Sequence, residues 1–75
     1  MEKFEIRVNG AEDIFYFEVR ILRQEHCAYQ VYENGTLVAV FEPDEEEYLH
    51  ICDNPGGLDE EVIFQIGLNI EAHSV

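Results

Sequence analysis

Turn chemistry constrains this chain more than anything else in it. Asn9-Gly10, Asn34-Gly35 and Asn54-Pro55-Gly56-Gly57 cut the sequence into pieces, and each cluster supplies residues that tolerate the positive φ of a tight reversal. Between them, polarity alternates. Phe4, Ile6 and Val8 interleave with Glu5 and Arg7, the period-two pattern of a half-buried strand. From Asp13 to Arg23, Phe15, Phe17, Val19 and Ile21 fall on one face, while Ile14, Tyr16, Glu18, Arg20 and Leu22 fall on the other. A connection of Asn9 to Glu12 would set Ile6 opposite Phe15, Phe4 opposite Phe17 and Lys3 opposite Glu18, matching apolar with apolar and cation with anion. A third run, His26 to Glu33, meets a fourth, Thr36 to Glu42, across Asn34-Gly35. A two-residue turn there pairs Tyr32 with Leu37, Val31 with Val38, Gln30 with Ala39 and Tyr29 with Val40. Pro43 stops the strand, Asp44-Glu45-Glu46-Glu47 reads as a solvated connection, and Tyr48 to Asp53 reads as a fifth strand.

The last segment, Leu58 to Val75, fits two periods at once. Val62, Phe64, Ile66, Leu68 and Ile70 alternate as in a strand, and Leu58, Val62, Ile66 and Ile70 recur at helical spacing. Three features decide for a helix. Asp59, Glu60 and Glu61 sit where a helix N-terminus favours negative charge, no turn signal interrupts the segment, and Gly56-Gly57 separates it from the fifth strand. Gly67 opposes the assignment by about 1 kcal/mol relative to Ala. The expected fold is α+β, an antiparallel meander-like sheet of about five strands followed by one C-terminal helix packed on one face, with residues 1–75 forming a single domain. The ending Ile66-Gly67-Leu68-Asn69-Ile70-Glu71-Ala72-His73 resembles the closing helix of small uncharacterised bacterial proteins with a β-rich body. That resemblance implies a helical end and no activity.

Composition narrows the function classes. Seventeen acids against four Lys and Arg leave a formal charge of −13, so direct binding to nucleic acid or to an anionic membrane, which needs clustered cations, is not expected. A basic protein partner is compatible with that charge. The amino terminus, Met1-Glu2-Lys3-Phe4-Glu5-Ile6-Arg7, has neither an apolar signal core nor a transit composition, and no apolar run nears the ~20 residues of a membrane span. Cytoplasmic localisation is therefore expected, with Cys27 and Cys52 as reduced thiols.

The side chains that could carry chemistry do not converge in the sequence reading. His26, Cys27, His50 and Cys52 are the residue types zinc prefers, but strands three and five of a meander lie about 10 Å apart, too far for shared ligation. The same spacing argues against a Cys27–Cys52 disulfide, which needs Cα atoms within about 7 Å. As neighbours in a strand, His26 and Cys27 would face apart and so could not act as base and nucleophile. The run Asp44 to Glu47 lacks the alternating ligands and central Gly of a calcium loop, and no glycine spacing makes a phosphate cradle. No metal, cofactor or catalytic residue is assigned.

What exceeds the needs of a plain core is apolar surface. On a helix, Phe64 and Leu68 lie opposite the Leu58, Val62, Ile63, Ile66, Ile70 stripe, between Glu60 and Glu71 on one flank and Glu61 on the other. The sheet is apolar on both faces while one helix covers only one, which adds Tyr16, Tyr32 and Phe41 as candidate protein contacts. The expected function is a noncatalytic protein-interaction module, self-associating as a homodimer or docking on a basic partner. The alternative is an acidic decoy that occupies a nucleic-acid-binding protein by imitating phosphate charge.

Overall fold

Among the described residues, five strands and one helix follow one another: β1 (Glu2–Asn9), β2 (Ile14–Ile21), β3 (Tyr29–Glu33), β4 (Thr36–Pro43), β5 (Leu49–Asp53) and α1 (Glu60–Ser74). The computed structural model describes residues 2–23, 26–46 and 48–74, Ser74 in its backbone alone. Gln24-Glu25, Glu47 and Val75, read above as a polar break, part of the acidic connection and the helix end, lie outside the described residues. The strands pair antiparallel in the order β1-β2-β3-β4-β5, and α1 lies against β1 and β5, the two edges of the sheet. The antiparallel meander closed by a C-terminal helix is thus the fold observed.

Local chemistry accounts for the turns. Asn34 and Gly35 both take positive φ, 51° and 81°, the mirror-image turn whose twist matches a two-residue hairpin. The β1–β2 connection is Gly10 to Asp13, closed by the Gly10 N–H donating to the Asp13 carbonyl at 2.7 Å. It starts one residue later than the alternation suggested, and the register moves by two: Ile6 opposes Phe17, Phe4 opposes Val19 and Lys3 opposes Arg20. A two-residue slip leaves every side chain on its original face, so alternation alone could not choose between the registers. The observed one sets Val8 against Phe15, where the expected one would set it against Asp13. Lys3 still reaches Glu18 diagonally, Nζ to Oε1 at 4.0 Å.

The β3–β4 hairpin keeps Tyr32 opposite Leu37, then slips. Val38 is an extra residue, so Val31 faces Ala39, Gln30 faces Val40 and Tyr29 faces Phe41, one position away from the expected pairs. The loop from Asn54 to Gly57 rests on this bulge, its Gly56 N–H donating to the Val38 carbonyl at 3.0 Å. A Cβ on residue 56 would come within 2.7 Å of the Val38 Cβ, so glycine is what permits the approach. Asn54 then fixes the helix entry by exchanging two hydrogen bonds with the Leu58 backbone at 2.9 and 3.0 Å. The Asp59 carbonyl accepts the Ile63 N–H at 3.0 Å, and Glu60 and Glu61 occupy the first turn, near the positive end of the helix dipole.

The core lies between α1 and one face of the sheet. Ile6, Val8, Phe17, Val19, Val31, Ala39 and Phe41 meet Val62, Ile66 and Ile70, with Leu58 and Ile63 packed at the margin. This is the helix stripe expected from the sequence. No polar side chain is buried among the described residues, so apolar area and shape hold this layer. Phe4 extends the contact toward the helix end, its ring stacked on His73 with centroids 3.7 Å apart.

Candidate functional site

Helical geometry separates α1 into two sides. Val62, Ile66 and Ile70 are buried, whereas Phe64 and Leu68, four residues apart on the far side, are 63% and 44% exposed. Glu60 and Glu61 stand exposed beside them. Glu71, half-buried, turns toward the sheet, where its Oε2 accepts the Leu49 N–H at 3.3 Å. The result is a short apolar pair with an acidic border.

The other predicted contact residues lie elsewhere. Tyr16 is exposed on the face of the sheet that α1 does not cover. Tyr32 shares that face but is half-buried beneath Arg20, whose Cζ sits 4.1 Å from the ring centroid, and its hydroxyl donates to Gln30 Oε1 at 2.9 Å. Phe41 is corrected: it is 2% exposed and belongs to the core, because the Val38 bulge reassigns which β4 residues face the helix. The five residues therefore do not form one surface. Two are on the helix, two on the free face of the sheet and one inside.

That free face mixes apolar side chains such as Ile14 and Tyr16 with a set of bonded polar ones. Arg20 Nε donates to Glu18 Oε2 at 2.6 Å, and this bond, with the neighbouring Tyr32, holds the guanidinium above its usual range. A cation stacked on an aromatic face and paired with a carboxylate is an ordered device on an exposed layer. At the sheet margin Arg23 Nη2 donates to both carboxylate oxygens of Glu2, at 2.8 and 2.7 Å, which lowers the Glu2 carboxyl below its usual range.

Cys27 and Cys52 form a disulfide with Cα atoms 6.2 Å apart. This overturns the expectation of two reduced thiols, and the reason is local. A spacing of about 10 Å holds only for residues within β3, but β3 begins at Tyr29 and Cys27 lies in the bend before it, where the Leu22 N–H just past β2 donates to the Ala28 carbonyl at 2.7 Å. Free of the ladder, Cys27 reaches across β4. Cys52 meets it from a bulge, since Val40 pairs with Asp53 and Phe41 with Ile51, leaving Cys52 the extra residue on β5. Glu42 of β4, the strand that the bond crosses, brings a carboxylate oxygen within 4.8 Å of both sulfurs. With the bond formed, the step from reduced thiols to a cytoplasm-like compartment no longer follows. His26 and His50 do not join this cluster.

Asp44 has a specific role that the acidic-run reading missed. Its Oδ1 accepts the Glu46 and Tyr48 N–H groups at 2.8 and 2.9 Å, its own N–H donates to the Tyr48 carbonyl at 2.8 Å, and Oδ2 receives His50 Nε2 at 2.8 Å. The His50 bond, helped by the two backbone donors, holds the Asp44 carboxyl below its usual range. Asp followed by a backbone N–H two residues on is a turn former, and that was the available signal.

Beside the C-terminal end of α1 runs an open groove of about 1250 Å³ lined by charges of both signs, among them Glu2, Arg23, Asp44 and Glu71. Arg23 pairs with Glu2, Asp44 with His50, and Glu71 with the Leu49 backbone, so these groups are engaged with one another or with the main chain. Among the described residues, no helix is long and apolar enough to cross a membrane. Comparison with protein-family models, curated proteins and solved structures gives no match.

Proposed function

We propose that this chain is a noncatalytic protein-interaction module that docks on a basic partner through the outer side of α1. The observation that carries the reading is the exposure of Phe64, at 63%, on a helix whose opposite stripe is fully packed. Val62, Ile66 and Ile70 already anchor the helix, so Phe64 and Leu68 serve no packing purpose there. An aromatic and an aliphatic side chain at this spacing form the anchor of a helix-in-groove contact. Charge selects the partner. The chain carries −13 overall and Glu60 and Glu61 border the pair, so a second copy would bring acids against acids, whereas a cationic rim complements them.

The test uses a defined probe, a synthetic amphipathic peptide with leucines on one face and lysines on the rim, followed by fluorescence anisotropy. The wild type should bind in a salt-sensitive manner, and Phe64→Gln with Leu68→Gln should weaken binding by about thirtyfold, as for loss of an interface anchor. Monomer stability should stay within about 1 kcal/mol, as expected away from a packed core. Equal binding by the variant would reduce the effect to bulk charge and defeat the reading. A wild-type dimer in sedimentation velocity that these substitutions dissociate would replace the basic partner with a second copy.

A further inference from the structure

We propose that Cys27, Cys52 and Glu42 form a redox-gated zinc site, closed while the disulfide is intact and opened when a dithiol reductant cleaves it. Three ligand atoms of suitable type are already gathered, two sulfurs and one carboxylate oxygen within 4.8 Å of one another. Zinc is bound by thiolate at about 2.3 Å and by carboxylate at about 2.0–2.2 Å, which places two sulfurs of a tetrahedral site about 3.7 Å apart. The Cα atoms of Cys27 and Cys52, 6.2 Å apart, accommodate that separation by side-chain rotation. Water fills the fourth position.

The site draws on three independent elements. Cys27 comes from the bend before β3, Glu42 from β4 and Cys52 from the β5 bulge, which removes Cys52 from the regular strand pairing. Glu42 follows Phe41, whose ring is 2% exposed, so the carboxylate rises from a strand anchored in the core. Two thiolates and a carboxylate are a borderline-soft set suited to zinc rather than to magnesium or calcium. The chain's charge of −13 raises the local concentration of any cation.

The chemistry balances. The disulfide takes two electrons and two protons from the dithiol, which is itself oxidised to a disulfide, and zinc then displaces the two thiol protons. The cross-link between the bend and β5 is thereby kept in a second form, S–Zn–S in place of S–S. The requirement for prior reduction makes the site a sensor of thiol redox poise.

The experiment loads zinc or cobalt(II) alone onto the intact chain at moderate salt, with and without prior reduction, alongside Glu42→Gln. Reduced wild type should bind one zinc per chain that the oxidised protein does not bind. The cobalt form should show thiolate-to-metal charge-transfer absorption, and Glu42→Gln should weaken the metal by about tenfold or more. Equal metal binding by the oxidised and reduced proteins, or unchanged affinity in Glu42→Gln, would overturn the proposal. If reduction unfolds the chain, recovery of its far-UV circular dichroism on adding zinc supports the site, and failure to recover overturns it.

Discussion

The two faces of this sheet are held by different physics. The buried layer on the covered face is apolar among the described residues, and its side chains from four strands pack against Val62, Ile66 and Ile70 of α1. The free face carries Glu18, Arg20, Gln30 and Tyr32 in a bonded chain, and near the β5 edge a covalent clip takes over. Volume decides on the first and connectivity on the second. A methylene removed from the covered face leaves a void that neighbours cannot fill, while on the free face water replaces what is lost. The contrast predicts that substitutions of similar size should differ in cost according to face.

The largest effect is expected at Ile66, which is 0% exposed at the centre of the helix contact. Ile66→Ala should cost about 4 kcal/mol in urea unfolding, near the upper part of the range for such truncations. A loss under 1 kcal/mol would mean that the covered face relaxes as freely as the other. Next comes the clip. Cys27→Ala with Cys52→Ala releases a link across 25 residues and should cost about 3 kcal/mol, seen equally on reducing the wild type in the absence of metal. If the double variant matches the oxidised protein in stability, the free face contributes no connectivity and the comparison fails there. The smallest effect concerns pH. Because the folded Asp44 carboxyl is lowered from 3.8, its contribution is present above that value and disappears as pH falls through the lower folded value. Asp44→Asn should therefore flatten the acid limb of a stability-against-pH curve, and an unchanged limb would show that the β4–β5 turn is held by its backbone bonds alone.

The sequence was most informative where one residue type has one physical use. Asn34-Gly35 specified its turn because two consecutive positive φ values suit few other pairs. The stripe of Val62, Ile66 and Ile70 specified the buried side of α1, and with it the exposure of Phe64 and Leu68. The β1–β2 register was not legible, since slips of two residues preserve facing and only the Val8–Phe15 pairing separates the alternatives. Both bulges escaped detection because an extra residue leaves no compositional mark. Val38 and Cys52 look like ordinary strand residues, and assuming a regular ladder put Phe41 among candidate surface residues and kept Cys27 from Cys52. The cluster around Glu42 was hidden for a further reason besides the Cys52 bulge: Cys27 reaches it because β3 starts only at Tyr29, which no ligand spacing marks.

The β5 bulge has a second consequence, for the company this sheet keeps at high concentration. A meander has two open edges, and an unpaired row of backbone N–H and carbonyl groups invites strand addition from another chain. Here one edge is β1, where Glu2, Lys3, Glu5 and Arg7 crowd the strand with charge. The other is β5, only five residues long and broken by its extra residue at Cys52. A strand docking on β5 would find too few evenly spaced partners to zip along, and one docking on β1 would have to match its charges. The irregularity that aims a sulfur at Cys27 also makes the exposed edge a poor template for fibre growth.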